Sequence, residues 1–215
     1  MSGPLALIFP PKCVLCGRLL ERQELDLCGK CRREAPEQRH KNKKLRFLDS
    51  VTALWHYEGD ARNSLLRYKF YGKRHYAKSY GRLLAMRLLQ AHDEPFDVLT
   101  WVPISSRRRF RRGYDQVELL AKAVGKELGL RPVRCLKKIR HNPAQSGLAG
   151  EAERRANVLG VYQAKAPERF RGRRVLIVDD VITTGATMSE CARVLLTAGA
   201  GQIHGAALAS AAHKK

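Results

Sequence analysis

A strand that ends in two acids and a Thr-Gly turn constrains the fold of this chain more than any other segment. The strand pattern is RRVLIVDD at residues 173–180, a continuous apolar run typical of a strand covered on both faces of a parallel sheet. The turn TTGAT at residues 183–187 leads directly into a helical pattern that ends on Gly199. A strand, a turn and a helix in this order are the repeating unit of an α/β fold.

The other apolar patterns alternate between strands and helices. Strand patterns occur at residues 51–57, 96–103 and 202–210. Helical spacing occurs at residues 61–70, 77–92 and 117–129. We therefore predict an α/β fold, a parallel sheet with helices on both faces. The Arg-rich stretch before the third helix is predicted to be a loop, and residues 140–160, rich in turn formers and charges, a long mobile loop of the kind that covers a site.

Asp179 and Asp180 are predicted to lie at the carboxyl end of their strand, where open α/β sheets bind ligands. Adjacent carboxylates at this edge can accept hydrogen bonds from the 2′,3′-diol of a ribose. The turn after them offers hydroxyls and backbone N–H groups at the positive end of a helix, which suits a phosphate dianion. Its residues are Thr183, Thr184, Gly185, Ala186 and Thr187. A diol site beside a phosphate site indicates a ribose 5-phosphate.

A second candidate segment follows the strand at 96–103. Pro103 ends that strand, and the stretch after it carries five arginines, Arg107, Arg108, Arg109, Arg111 and Arg112. Guanidinium groups bind phosphate oxygens in pairs, and Gly113 lets the backbone approach a ligand closely. The segment is therefore a candidate clamp for a diphosphate or a track for nucleic-acid phosphates. A solvated basic loop is the alternative.

Four cysteines form the third candidate site, near the amino terminus. They make two Cys-x2-Cys pairs, Cys13, Cys16, Cys28 and Cys31. Two such pairs can supply four thiolates to one tetrahedral zinc, and four protein ligands make the zinc structural rather than catalytic. Disulfides are the alternative, which a reducing compartment disfavours. We predict a zinc ribbon at residues 1–45, because the segment has few apolar residues for a core of its own.

The charge of the chain is extreme for a small enzyme. Forty-one Lys and Arg residues against 20 Asp and Glu residues give a formal net charge of +21. Such an excess favours a polyanionic partner, nucleic acid above all, although a solubilising surface charge is the alternative. No stretch approaches 18 continuous apolar residues, and no basic residue precedes the short apolar run at the amino terminus. We therefore expect a soluble, cytoplasmic protein with no membrane span.

The segment at 175–187 is similar to the signature of type I phosphoribosyltransferases, in which apolar residues, two acids and two apolar residues precede a Thr-Gly loop. The resemblance implies that Asp179 and Asp180 are the catalytic acids that contact the ribose of phosphoribosyl diphosphate. It also implies that residues 183–187 surround the 5-phosphate, and that Mg²⁺ accompanies the diphosphate near Pro103, Arg108 and Arg112. Enzymes that act on 6-oxopurines have Asp at the position of Thr183, so purine salvage is disfavoured.

The segment at 101–116 adds a resemblance to a more specific family. Its strand, Val-Pro pair and arginine run resemble the ComF family of competence proteins, with its ComFC and GntX-like branches. The matching residues are Arg108, Arg112, Gly113, Tyr114, Asp115 and Gln116. Asp115 stands where Asn is more usual in that family. Lys69 and Gln145 also match, within 66–74 and 142–162, so the resemblance covers most of the chain from Cys13 onward.

The ComF resemblance implies a phosphoribosyltransferase-like domain at residues 46–215 and a role in natural transformation after DNA entry. It further implies single-stranded DNA as a ligand, and a ComFA-like helicase and DprA as partners. Two classes of function stay open. Either the protein transfers a phosphoribosyl group to an acceptor in nucleotide or cofactor metabolism, or the same pocket binds phosphoribosyl diphosphate, a related nucleotide or a DNA end phosphate in a nucleic-acid-binding protein without turnover.

Overall fold

The computed structural model describes residues 10–35, 45–140 and 156–211. Within these ranges the strands are β1 (Ser50–His56), β2 (Val98–Trp101), β3 (Leu136–Lys138), β4 (Tyr162–Ala164), β5 (Arg174–Ile182) and β6 (Gln202–Ser210). The helices are α1 (Gly29–Glu34), α2 (Gly59–Phe70), α3 (Tyr76–Ala91), α4 (Ser106–Arg112), α5 (Gln116–Leu128) and α6 (Ala186–Thr197). A 3₁₀ turn at Pro167–Arg169 precedes β5. All four predicted strands and the four predicted helices are present.

The main sheet has four parallel strands in the order β1-β6-β5-β2. β5 lies between β6 and β2, and its residues from Val175 to Val178 are fully buried. This burial explains why the segment is continuously apolar, since both faces of a parallel strand are covered. The predicted parallel sheet is confirmed.

Helices cover both faces of this sheet, as predicted. One buried cluster joins α2, α3 and α5 to side chains such as Leu99, Leu176 and Leu208. A second cluster joins α6 to the opposite face, through side chains such as Ile177 and Ile203. Alternate residues of β5 therefore enter opposite layers, which is the period expected for a strand.

The Arg-rich segment is a helix, so the prediction of a loop was wrong. The Ser105 hydroxyl caps the start of α4 by accepting a hydrogen bond from the Arg108 N–H at 3.3 Å. Gly113 ends the helix in the left-handed conformation, with φ of 71°. Arginine has a high helix propensity, and these two caps allow a short helix of about two turns between β2 and α5.

β3 and β4 form a small antiparallel ribbon that the sequence did not reveal. Each strand has only three residues, which is too short for an alternating pattern to be recognised. Of the long mobile loop predicted at 140–160, residues 141–155 lie outside the described part of the chain. Gln145, which matched the ComF family, is among them.

The cysteine segment packs against the helical layer of the sheet domain. The Ser64 hydroxyl and the Arg67 guanidinium, both on α2, donate hydrogen bonds to the carbonyl oxygens of Val14 and Leu15. From α3, Arg82 Nε donates to the Asp26 carboxylate at 2.9 Å. The boundary between residues 45 and 46 stays a prediction. None of the helices in the described ranges has the length and apolar character needed to cross a membrane.

Candidate functional site

A cavity of about 620 Å³ opens at the carboxyl edge of the sheet. Among the predicted ligand-binding residues, those that line it are Pro103, Arg108, Arg112, Asp179, Asp180, Thr183 and Thr187. Thr184, Gly185 and Ala186 are not in its lining, although they belong to the same turn. The cavity therefore brings the acid pair and the Thr-Gly turn that follows it together with part of the arginine helix, which is distant in sequence.

β2 ends before it reaches the two acids and leaves an open space beside them. β2 pairs with β5 as far as Trp101 and Val178, and the Val102 N–H donates the last hydrogen bond of this ladder to Val178 O at 3.0 Å. Pro103 has no N–H and cannot continue the ladder. β5 continues to pair with β6, so its acids are held rigidly while their β2 side faces the cavity.

Asp180 is held by two side chains from the helical layer. Lys69 Nζ, on α2, lies 2.8 Å from Asp180 Oδ1, and Gln116 Nε2, on α5, donates to Asp180 Oδ2 at 2.9 Å. The Tyr68 hydroxyl donates to Gln116 O at 2.6 Å and joins the two helices. The position of this carboxylate is thus fixed before any ligand arrives.

Asp179, next to Asp180 on β5, has a shifted pKa. Burial, followed by the charge of Asp180, raises the pKa of Asp179 to about 8. Its Oδ1 accepts a hydrogen bond from the Asp180 N–H at 2.7 Å. A carboxyl group with a strongly raised pKa in a cleft is typical of functional sites.

The Thr-Gly turn is built around Gly185. Its φ is 84°, in the left-handed region, and a Cβ at this position would overlap the side chain of Leu45. α6 begins directly after it at Ala186. Thr183 and Thr187 flank the turn and both line the cavity, so their hydroxyls stand beside the amino end of α6, where a phosphate binds favourably.

The five arginines of α4 divide into two groups. Arg108, Arg111 and Arg112 line the cavity, as expected for residues three and four apart on one side of a helix. Arg107 and Arg109 are exposed and are not part of the cavity lining. The structure therefore separates a candidate diphosphate clamp from two arginines that face solvent.

Two buried polar atoms in the cavity wall have no hydrogen-bond partner within the described ranges. They are Arg112 Nε and Gln116 Oε1. Burying an unpaired polar atom costs about 1–3 kcal/mol, so such atoms are usually satisfied by water or a ligand. A donor and an acceptor left open beside Asp180 fit a polar ligand in this cavity.

Lys138 and Tyr162 also line the cavity and were missed by the sequence analysis. They face each other across the β3–β4 ribbon, with Lys138 Nζ 5.5 Å from the centre of the Tyr162 ring. Burial, and then the charge of Arg108, lower the pKa of Lys138 to about 8. The only available signal was a lysine in a basic stretch, which is indistinguishable from a solvated surface residue.

Asp115 has a structural role that its place in the family motif did not suggest. Its Oδ1 accepts hydrogen bonds from the Val117 and Glu118 N–H groups, both at 3.0 Å, and so caps α5. An Asn side chain has the same acceptor oxygen and caps a helix equally well. The capping role is therefore compatible with either residue at this position.

The four amino-terminal cysteines converge as predicted. Their Sγ atoms all lie within 4.8 Å of one another, and Cys16 Sγ is 3.7 Å from Cys28 Sγ. A tetrahedral zinc with Zn–S bonds of about 2.3 Å requires sulfur atoms roughly 3.8 Å apart, so the cluster fits the metal. Burial opposes ionisation of Cys28, but hydrogen bonds from Arg18 and the Cys31 N–H outweigh it and lower the pKa of this thiol to about 6.

Two separate family matches fall at the two ends of the chain. Residues 4–42 match the family described as a double zinc ribbon domain. Residues 118–215 match the family described as a phosphoribosyl transferase domain, and this range contains β5, the acid pair and the Thr-Gly turn. The matches agree with the cysteine cluster and with the parallel sheet, so the phosphoribosyltransferase-like fold and the zinc-ribbon cysteines are those predicted.

Full-length relatives combine the same parts. Competence protein F of Haemophilus influenzae is 29% identical over 90% of this chain and 82% of its own length. DNA utilization protein YhgH of Escherichia coli K12 is 27% identical over 89% of this chain and 80% of its own length. Competence protein ComFC of Bacillus subtilis is 26% identical over 87% and 72%. The chain thus resembles the ComF family over most of its length, as predicted, with the double zinc ribbon match at its amino end and the phosphoribosyl transferase match at residues 118–215.

Proposed function

We propose that this protein binds phosphoribosyl diphosphate in the cavity at the carboxyl edge of the sheet. The observation that carries the proposal is the convergence of Asp179 and Asp180, the Thr-Gly turn and the inner arginines of α4 on one cavity. A ribose diol needs acceptors, a 5-phosphate needs the amino end of a helix, and a diphosphate needs cations. The lining supplies all three kinds of group.

Each part of the ligand has its own set of contacts in this proposal. The acid pair accepts hydrogen bonds from the ribose hydroxyls, and Thr183 and Thr187 bind the 5-phosphate together with N–H groups of the turn. Arg108 and Arg112 bind the diphosphate, and the open Nε of Arg112 gains a partner. Lys69 limits the negative charge that Asp180 presents to an anionic ligand.

Mg²⁺ is the expected companion of the diphosphate. Carboxylate and phosphate oxygens are its preferred ligands, so Asp179 and Asp180 are the residues that fit it, directly or through water. When bound, the ion offsets the diphosphate charge. Coordination would also lower the pKa of Asp179, which burial and the charge of Asp180 raise.

We further propose that the protein handles single-stranded DNA on the cytoplasmic side during natural transformation. Two similar proteins carry the name of competence proteins and a third that of a DNA utilization protein. The net charge of +21 supports a polyanionic partner, and Arg107 and Arg109 are exposed beside the cavity. A ComFA-like helicase and DprA are the protein partners that the family resemblance implies.

A second candidate is an active phosphoribosyltransferase. The cavity continues past the proposed ligand contacts to a wall formed by Tyr57, Arg62, Leu66 and Phe70, which leaves room for an acceptor molecule. In that case the diphosphate leaves from C1 of the ribose as the acceptor attacks, and the arginines stabilise the departing charge. Release of inorganic pyrophosphate in the presence of an acceptor would favour this candidate over binding alone.

The two groups of arginines on α4 provide a test of the proposal that the protein binds both phosphoribosyl diphosphate and single-stranded DNA. Arg107→Ala with Arg109→Ala should weaken binding of an oligothymidylate and reduce the slope of log affinity against log salt by roughly 1.4, about 0.7 for each lost phosphate contact. Phosphoribosyl diphosphate affinity should stay within about twofold, because neither side chain lines the cavity. Fluorescence anisotropy across a salt series measures the first effect and calorimetry the second.

Arg108→Ala with Arg112→Ala is the matched pair from the same helix. It should weaken phosphoribosyl diphosphate binding by at least about tenfold, since two charge-assisted hydrogen bonds are lost. If Arg107→Ala with Arg109→Ala leaves both the DNA affinity and its salt slope unchanged, the exposed arginines are not a phosphate track. If Arg108→Ala with Arg112→Ala leaves phosphoribosyl diphosphate binding unchanged, they are not the diphosphate clamp.

A further inference from the structure

Three aromatic side chains are exposed next to the cavity. Phe110, in the middle of the arginine helix, is 92% exposed, Tyr71 is 72% exposed and Phe70 is 56% exposed. An exposed phenyl ring between arginines forgoes the stabilisation that burial would give. Scattered exposed apolar residues are common, but three aromatic rings on two adjoining segments form a distinct surface.

Contacts between side chains join these two segments. The Arg112 guanidinium lies over the Phe70 ring, 4.9 Å from its centre, and the Arg74 guanidinium lies over the Tyr114 ring at 4.6 Å. The end of α2 and the loop after it are thereby held against α4 and the residues that follow it. Within the described ranges, no ring or cation stacks on the rings of Phe110 and Tyr71. We call the surface around these two rings the aromatic–basic surface.

The two segments that carry these rings are rich in cationic residues and contain no acidic ones. Residues 66–78 contain five Lys and Arg residues and residues 104–114 contain five arginines, while neither range has an Asp or Glu. A surface meant to meet another protein usually mixes charges of both signs, whereas this one matches a polyanion. Phe70 and Arg111 line the cavity, so the surface begins at the cavity rim and extends outward to Phe110 and Tyr71.

We propose that Phe110 and Tyr71 stack against bases of single-stranded DNA whose phosphates lie along the neighbouring arginines. This inference rests on the proposed function and specifies which side chains hold the DNA bases. Every base has a π-face, so rings of this kind bind single strands without regard to sequence, and they bind duplexes poorly because duplex bases are already stacked. A phenyl ring offers no hydrogen bond, which also indicates contact with the face of a base rather than with its edge.

An abasic strand separates stacking from charge. The probes are an oligothymidylate and an abasic strand of the same length, with identical phosphates, each titrated against the full-length zinc-loaded protein by fluorescence anisotropy. The wild type should bind the oligothymidylate at least about tenfold more tightly, since stacking contributes roughly a factor of ten or more per base. Phe110→Ala and Tyr71→Ala should each remove most of this preference and leave the abasic affinity within about twofold.

Control variants make the outcomes distinct. Phe110→Trp should keep the preference for the strand with bases, and Leu89→Ala, which truncates a side chain 66% exposed on α3, should leave both affinities unchanged. Equal binding of the two strands by the wild type would overturn the stacking inference while the proposed DNA binding stands. Binding of neither strand would reject the proposed DNA function itself. A clear drop in the unfolding temperature of Phe110→Ala would show that the ring is packed within the protein and would also overturn the inference.

Discussion

Changing Asp179 and Asp180 to Asn together is expected to reduce phosphoribosyl diphosphate affinity on the order of 100-fold or more. In the complex, where bound Mg²⁺ would lower the pKa of Asp179, each charged acceptor contributes about 1.5–3 kcal/mol to a hydrogen bond with a ribose hydroxyl or to Mg²⁺ coordination, and 1.4 kcal/mol is a factor of ten. The ligand-induced rise in unfolding temperature should disappear with the affinity. Differential scanning fluorimetry with and without the ligand measures this effect.

The single variant Asp179→Asn is expected to gain stability as it loses binding. Since burial raises the pKa of Asp179 to about 8, the folded state keeps a proton that the unfolded state loses near pH 4. Wild-type stability therefore falls as the pH rises from about 4 through the folded pKa. Asn cannot ionise, and its Oδ1 can still accept from the Asp180 N–H. The variant should be more stable than the wild type at pH 8, by at least about 1 kcal/mol.

Denaturant unfolding of both proteins at pH 5 and pH 8 tests the sign of this effect. The difference in free energy of unfolding between variant and wild type should grow with pH. A difference that is constant between these pH values would contradict a buried, protonated Asp179. Loss of binding in a variant with raised stability would also show that the substitution acts on the site rather than on the fold.

Removing zinc is expected to weaken both the fold and the ligand site. In the described part of the chain the ribbon has few buried apolar residues, among them Val14, Leu15 and Leu27, so the metal is the main constraint on its structure. Ser64 and Arg67 of α2 donate hydrogen bonds to the ribbon, and Lys69 of the same helix forms an ion pair with Asp180. Loss of the ribbon should therefore loosen the helix that fixes Asp180.

Cys28→Ser with Cys31→Ser is the variant for this prediction. Its unfolding temperature should fall by roughly 10 °C, which corresponds to about 3–5 kcal/mol for a protein of this size, and its phosphoribosyl diphosphate affinity should fall several-fold. Cys135→Ala, which removes a buried thiol outside the cluster, is the control and should retain zinc. Elemental analysis should give one zinc per wild-type chain and none for the cluster variant. A freshly purified, reduced wild type without zinc would contradict the ribbon.

The parallel sheet could be predicted because its strands are buried on both faces. The prediction at 173–180 corresponds to β5, and that at 202–210 to β6, because continuous apolar runs have few alternative structures. The amino-terminal cysteine cluster could also be predicted, since the spacing of its four cysteines is typical of a zinc site. In both cases the signal lies within one short segment.

Features that depend on tertiary contacts were not predictable in this way. α4 was predicted to be a loop because a run of charge has no apolar periodicity, and its structure depends on the caps at Ser105 and Gly113. Lys138 lines the cavity because β3 pairs with β4, and 23 residues separate these two strands in the sequence. The contact between Ser64 and Val14 joins residues 50 positions apart, and nothing in either segment specifies the other.

Calorimetric titration of the zinc-loaded protein with phosphoribosyl diphosphate and Mg²⁺ tests the central claim most directly. Ribose 5-phosphate and pyrophosphate are the partial ligands, and the Asp179→Asn/Asp180→Asn protein is the control. The ribose-phosphate pocket predicts micromolar binding of the complete ligand, weaker binding of both parts and no measurable binding by the variant. Absence of binding by the wild type, or equal binding by the variant, would contradict it and leave DNA as the primary ligand of this cavity.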